Sequence, residues 1–551
     1  MQQEFDYIII GAGSAGCVLA NRLSADSNNQ VLLIEAGKKD TYPLIHIPGS
    51  CGNLHRSKVD WGFETAPQKD ILNRKIYLPR GKTLGGCSST NYMAYVRGNK
   101  ADYDHWAALG NEGWNYEKVL PYFKKSEDHQ DIQNEFHGQG GPLNVEFSKK
   151  FKTPYSKAFI EACQEVGFKT NDDYNGAVQA GVGYFQHTIK NGKRHSTATA
   201  FLNPIKHRKN LTIKTATLVE KVLIEEDKAI GVQVKKKATR RERFTCRKEV
   251  IVSAGAFNSP QLLMLSGIGD KANLAQHEIP CKKHLPGVGQ NLQDHLFAFI
   301  SVRTKHQNGL NHYLTPLSGV RALTNYFLFK KGPFVLSPIE AVAFGKSSLC
   351  SGTVDYQFHF ASLNPGEDFE EVDFYNPYAL PKQDGFSVAP TLLNPKSRGF
   401  VQLRSNKIED KVIIQPNFLS APEDQQVFLE ATKKAIEVIK SKAFAPFVEQ
   451  YLYPIEETSD EKLLLHIKNI TQTIFHPVGT CKMGQDEMAV VDERLRVKGI
   501  QNLRIIDASI MPKIVSGNTN APTIMIGEKG AAMILEDQKE PTLSKTALEQ
   551  I

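Results

Sequence analysis

Apolar residues fall into two rhythms along this chain. Short unbroken runs bounded by glycine or charge predict buried strands. Asp6–Ile10 (DYIII) and Gln30–Ile34 (QVLLI) are of this kind, with a helical stretch, Cys17–Leu23, between them. Ala229–Val234 and Arg243–Ser253 read as two more strands joined by a hairpin tip. Val354–Phe360 (VDYQFHF) alternates like a strand, and Phe400–Arg404 and Val412–Ile414 are further candidates. Apolar residues at helical spacing after an acidic first turn predict an amphipathic helix over Pro422–Lys442. Ala101–Phe123 predicts helix with a Gly-Trp-Asn interruption, and Gly138–Pro142 a turn-rich break. Leu323–Phe334 (LTNYFLFKKGPF) predicts a buried segment; its aromatics beside two lysines also suit a membrane surface.

Composition narrows the class. At 551 residues the chain exceeds a single core, so two or more lobes are expected. A net charge of +8 is a mild bias on that length and predicts no nucleic-acid partner. The clearest basic run, Lys235–Lys237 with Arg240, Arg241 and Arg243, falls on the hairpin tip and reads as solvated. The 8 cysteines form no CxxC and no zinc-ligand spacing, so no metal is expected and a reducing compartment is. No apolar run reaches the roughly 18–20 residues of a membrane span, and Gln2–Asp6 is too polar for a signal peptide. The expectation is a cytoplasmic protein, with peripheral attachment to the inner face of the cytoplasmic membrane left open. The segment 538–551 reads as a polar tail.

The chemistry starts at Gly11-Ala12-Gly13-Ser14-Ala15-Gly16, directly after the first strand. Gly11 permits the tight turn, Gly13 lets backbone approach a pyrophosphate, and Gly16 lets helix and strand pack closely. The helix N-terminus faces the phosphates. Glu35, ending the second strand 19 residues after Gly16, is placed for ribose hydroxyls. This unit predicts dinucleotide binding without separating NAD from FAD. A loop of small groups follows in Tyr77–Gly98 (YLPRGKTLGGCSSTNYMAYVRG), suited to a flat ring or a phosphate. Near the other end lies Phe475-His476-Pro477-Val478-Gly479, then Asn518-Thr519-Asn520-Ala521-Pro522-Thr523. A neutral imidazole can accept a proton and an Asn can orient a substrate oxygen.

Together these stretches resemble the glucose–methanol–choline (GMC) oxidoreductases, nearest the bacterial choline and aliphatic-alcohol dehydrogenases. Asp6–Glu35, Gly81–Gly98, Gly255–Gly269 (GAFNSPQLLMLSGIG) and His476–Gly484 with Asn502–Glu528 come in the family's order. The resemblance implies an α/β chain, α+β overall. A Rossmann-like FAD-binding domain would be built from residues 1–150, 200–300 and 470–537. A substrate lobe on a mostly antiparallel sheet would take 151–199 and 301–469. Gly11, Gly13, Ser14, Ala15, Gly16, Glu35 and Ala36 would hold the ADP half of FAD, and Val219 the adenine. Leu84 and Asn91, Tyr92, Met93 and Ala94 belong to the stretch along the flavin and ribityl chain. Asp507 and Ala508 would face the pyrophosphate and ribityl side, Pro522 and Thr523 the pyrimidine end. Thr90 stands where some oxidases carry a flavin-linked His, so noncovalent FAD is implied.

The same resemblance assigns His476 and Asn520 as the catalytic pair, with Asn518 a turn residue. Glu340 is similar to an acid near the flavin in related dehydrogenases; otherwise it is a solvated or salt-bridged surface residue. Tyr92 and Phe475 would line the substrate pocket. The implied reaction is oxidation of a primary alcohol, His476 taking the proton and flavin N5 the hydride. Electrons would pass to a membrane quinone or another acceptor. Choline is the second substrate reading, light-driven fatty-acid decarboxylation the alternative from another enzyme class.

Overall fold

The computed structural model describes residues 3–235, 241–366 and 375–539. The expected strand–helix–strand opens it as β1 (Gln3–Ile10), α1 (Ser14–Leu23) and β2 (Val31–Ile34). β1 pairs parallel with β2, and β2 parallel with Leu211–Lys214. On its other edge β1 pairs parallel with the long strand Arg241–Val252. That strand forks: its first half pairs antiparallel with Lys228–Lys235, which continues to Leu218–Glu225. Its last three residues pair parallel with Leu503–Ile505. The parallel strands are apolar without alternation because both faces are covered; Tyr7–Ile10, Val31–Ile34 and Val250–Val252 are all buried. The last helix, Asn520–Asp537, packs on α1. A Cβ at Gly527 would lie 3.0 Å from Ala15 Cα, so the glycine lets the two helices pack closely.

The basic hairpin forms as expected, with Lys235 and Arg241 opposite each other. They meet Glu409 and Glu220 respectively. The residues 236–240 of the run lie outside the described ones, as does the tail beyond 539.

A second, eight-stranded sheet is antiparallel at every pairing. Its main path runs Val448–Tyr451, Ile300–Thr304, Gly385–Leu392, Tyr356–Ala361, Ile339–Gly345, Gly181–Tyr184. Leu296–Phe297 and Gln472–Thr473 join at one end. These two were expected with the dinucleotide half, so the sheet reaches a few residues past the expected boundaries. Helices Pro154–Glu165, Pro422–Ile439 and Asp460–Ile470 cover one face. Tyr356, Phe358 and Phe360 point into that core. The alternating partners His359 and Ala361 face a cavity rather than solvent, which is why the whole strand is buried.

One helical stretch follows expectation and another differs from it in an informative way. The 101–123 stretch is two helices, Lys100–Ala108 and Tyr116–Ser126, broken where the Gly-Trp-Asn interruption falls. The expected buried segment 323–334 belongs to a helix, Pro316–Phe329, whose outer face is bare. Only Ala322 and Tyr326 of that helix are buried, while Leu317 is 86% exposed and Phe327, Leu328 and Phe329 are 61–69% exposed. Among the described residues no helix is long and apolar enough to cross a membrane.

Candidate active site

Two cavities meet between the sheets. The first, about 250 Å³, starts at the turn after β1. Gly11 has φ +100°, and a Cβ there would lie 2.4 Å from the Ser253 carbonyl. A Cβ at Gly16 would strike the Gly11 carbonyl at 1.9 Å. Gly13 presents bare backbone with open space where a Cβ would point, at the start of a ten-residue helix. Glu35 accepts from the Ala12 N–H at 2.9 Å and the Gly37 N–H at 2.7 Å; burial raises its pKa to about 7. Gly11, Gly13, Ser14, Ala15, Glu35 and Ala36 line this cavity, as do Val219, the 91–94 stretch, Asp507, Ala508 and Thr523. Gly16, Leu84 and Pro522 stand behind it; Leu84 is buried in the main core. The lining includes Asn258, whose buried Oδ1 has no protein partner. An open glycine-backed helix start, a buried acid and an unpartnered polar atom fit a dinucleotide such as FAD.

Asp507 acts first as a tie. It accepts from the Gly255 N–H (2.9 Å), Ser259 Oγ (2.6 Å) and the Ser509 N–H (2.8 Å), anchoring the helix Gly255–Leu265. Arg194 reaches Asn91 Oδ1 at 2.8 Å from a fully buried position, fixing that end of the cavity.

His476 closes the first cavity. Its loop is held tightly: Phe475 sits at φ +69°, unusual for an aromatic residue. Arg80 donates to the Phe475 carbonyl, and Asp294 Oδ1 accepts the His476 N–H at 2.7 Å. Burial raises the Asp294 pKa to about 6. His476 itself has a pKa well below the ordinary imidazole value, through burial first and then His295, His359 and Arg80. Its tautomer follows from its neighbours. The Leu393 carbonyl can only accept, so His295 Nε2 carries a proton and donates to it at 2.9 Å. Burial lowers the His295 pKa to about 3, so its Nδ1 is an unprotonated acceptor. That Nδ1 lies 3.0 Å from His476 Nδ1, which must therefore be the donor. A neutral His476 then keeps its lone pair on Nε2, 3.2 Å from Asn518 Nδ2.

The two asparagines are placed differently around the imidazole. Asn518, read as a turn residue, is the amide beside His476. Asn520, the first residue of the last helix, accepts from Ser14 Oγ at 2.7 Å. Both line the first cavity, but Asn518 also lines the second.

The second cavity, about 510 Å³, shares Tyr92, Ile474, Phe475 and Asn518 with the first and extends away beneath the helix Pro316–Phe329. Its walls are Phe297, Phe299, Leu310, Leu323 and Phe334 among others, and none of the described residues lining it is a carboxylate. Glu340 is not there. It is buried, accepting from Thr153 N–H (2.8 Å), Thr153 Oγ1 (2.9 Å) and Ser362 Oγ (2.6 Å). It lines neither cavity and is not a solvated surface residue; it stitches the 153 turn to the sheet. The sequence reading did not single out His295, Asp294 or Arg80. The Asp294-His295 dipeptide, two titratable residues directly before the apolar run Leu296–Ile300, was the available signal.

The family description "GMC oxidoreductase" matches residues 5–297 and 395–527 of the chain. It is 42% identical to an alcohol dehydrogenase [acceptor] of Pseudomonas putida, covering 96% of each chain. It is 38% identical to a mitochondrial choline dehydrogenase of Mus musculus, over 100% of this chain and 93% of that one. Among solved structures, a pyridoxine 4-oxidase superposes with a TM-score of 0.86 at 29% identity, covering 97% of this chain and 99% of the other. A formate oxidase superposes at 0.90 and 28% identity, covering 98% and 99%.

Proposed function

The chain belongs to the GMC oxidoreductases, FAD-dependent enzymes acting on CH–OH groups, and on that premise we propose that it oxidises an apolar primary alcohol to the aldehyde. The observation that carries the choice is the second cavity: apolar, ending at Phe475 and Asn518 beside His476, with no carboxylate among the described residues that line it. His476 Nε2 takes the hydroxyl proton. The Asn518 amide donates to the same oxygen and holds the carbinol carbon toward the first cavity. General-base help of this kind typically contributes about 10²–10⁴-fold. FAD, when bound, accepts the hydride. Gly11–Ala15 and Glu35 hold its adenosine diphosphate half, Val219 the adenine, and Asn91–Ala94 with Thr523 the ring end. Thr90 lines the same cavity and offers no imidazole, so the cofactor is held without a histidyl bond. Electrons leave to a quinone or another acceptor, which fits an enzyme at the inner face of the cytoplasmic membrane.

Choline is the second reading. The aromatic group His55, Tyr77, Tyr92 and Tyr375 favours it, since such rings attract a quaternary ammonium. Against it, the Arg56 guanidinium already lies 5.1 Å from the Tyr77 ring centre and 5.7 Å from that of Tyr375. Glu340, the expected counter-charge, points elsewhere. Anaerobic bleaching of the flavin absorbance decides between them. Octanol should bleach it and choline should not; bleaching by choline alone would overturn the assignment.

A further inference from the structure

We propose that the helix Pro316–Phe329 and the turn after it seat the enzyme on an anionic lipid bilayer, with the second cavity opening into that contact. The contact rests on surface observations alone; that an alcohol passes through it rests on the function proposed above.

The helix turns the wrong face outward for a soluble surface. Leu317, Val320, Phe327, Leu328 and Phe329 are exposed together, a contiguous apolar presentation that marks an interaction site rather than scatter. Lys330 ends the helix with its ammonium 4.1 Å from the Tyr326 ring centre and 5.6 Å from that of Phe327. Its stem lies along apolar surface while its charge stays at the edge, the posture of a lysine at a membrane interface. From residue 305 to 339 the charged residues are Lys305, Arg321, Lys330 and Lys331, with no acid. Lys150 and Lys193, from two neighbouring loops, lie close enough to Lys330 to oppose its charge.

That charge selects the partner. A second copy bound through the same face by two-fold symmetry would bring like charges together. An anionic bilayer surface attracts the lysines and dissolves the rings. The cavity gives the contact a purpose. Pro316 and Val320 line it and are themselves exposed, Val320 by 63%, so its mouth lies on this face. Leu323 and Phe334 continue the wall inward, and Phe475 and Asn518 end it beside His476. An alcohol dissolved in lipid can reach the base without crossing water.

The test is flotation of the purified, flavin-loaded full chain with vesicles of phosphatidylglycerol and phosphatidylcholine. The wild type should float with them and not with phosphatidylcholine alone. Lys330→Ala with Lys331→Ala should weaken binding by about 30-fold at physiological salt. Leu328→Ser with Phe329→Ser should abolish flotation. Both pairs should reduce flavin with butanol at wild-type rate while losing most oxidation of vesicle-embedded hexadecanol. A wild type that ignores anionic vesicles, or variants that float equally well, would overturn the proposal. So would self-association of the wild type that the Ser substitutions abolish, which would make the face a contact between copies. Failure of butanol with the wild type would instead count against the alcohol reading, leaving the flotation result to stand by itself.

Discussion

Replacing His295 with Leu removes the acceptor that holds the proton on His476 Nδ1. Among the described residues the 3.0 Å contact is that nitrogen's only hydrogen-bond partner, and it sits in a fully buried site. Without it, a neutral His476 has an unpaired N–H on Nδ1, at a penalty of about 1–3 kcal/mol. The ring can escape by moving its proton to Nε2, which destroys the lone pair facing the substrate. Either way the reactive tautomer loses that preference, and at about 1.4 kcal/mol per tenfold the flavin-reduction rate should fall roughly 5–150-fold. His295→Asn is the control, because its amide oxygen can occupy the Nδ1 position and accept the same proton. Anaerobic stopped-flow reduction by octanol measures the rate; flavin absorbance and thermal melting confirm that both variants fold and load. A slow Leu variant with a substantially faster Asn variant supports tautomer control. Leu at wild-type speed, or Leu and Asn equally slow with equal melting, would refute it.

Four shorter predictions accompany this one. The lowered His476 pKa means its base form persists below pH 6.5, so the reduction rate should stay flat from alkaline pH through 6.5 and fall only as acid finally protonates the ring; a half-loss near pH 6.5 in the pH profile would contradict the burial argument. Glu340→Gln should leave the kcat and KM for octanol and choline within about twofold while lowering the melting temperature, because it severs buried hydrogen bonds worth about 1–3 kcal/mol; lost turnover with unchanged melting would restore it to the site. Ala361→Phe, placed on the second cavity's wall, should shift the preferred alcohol to shorter chains without changing flavin content, measured as kcat/KM across a chain-length series. Glu127 pairs with the buried Arg97 and has its pKa lowered to about 2. Its stabilisation is therefore complete above its ordinary carboxylate pKa near 4.5 and is lost as pH falls from there toward about 2; Glu127→Gln should cost about 3–5 kcal/mol at neutral pH and flatten that acid loss in denaturation experiments.

Much of the scaffold was legible because it is written locally. β1, α1 and β2 need only an apolar run, three glycines and another run, and each glycine is required by a contact a Cβ would violate or a face it would cover. The helix Pro422–Ile439 was equally plain, with Pro at its start and Glu423 and Asp424 in its first turn. Where periodicity misled, the reason is that it reports polarity and not what lies opposite. The polar half of Tyr356–Ala361 faces a cavity. The rings of 323–334 look like core in composition, yet three consecutive aromatic or aliphatic positions, Phe327–Phe329, cannot all turn inward on a helix with one packed face.

The site itself shows where local reading ends. His476 announced itself beside Pro477, but which of its ring nitrogens keeps the lone pair is set from 181 residues away. Leu296 pairs with Thr473 and Phe297 with Gln472, and this short antiparallel register carries on to the Ile474 N–H and the His295 carbonyl at 3.1 Å. His295 is thereby delivered to His476 by strand pairing, which no spacing within either segment encodes. The different placements of Asn518 and Asn520 arise the same way. They are two residues apart and chemically identical, and either could have met the imidazole. Ser14, at the start of α1 and 506 residues distant, takes the Asn520 side chain. That commitment binds the last helix to the glycine-rich turn and leaves Asn518 as the amide that faces both His476 and the apolar cavity.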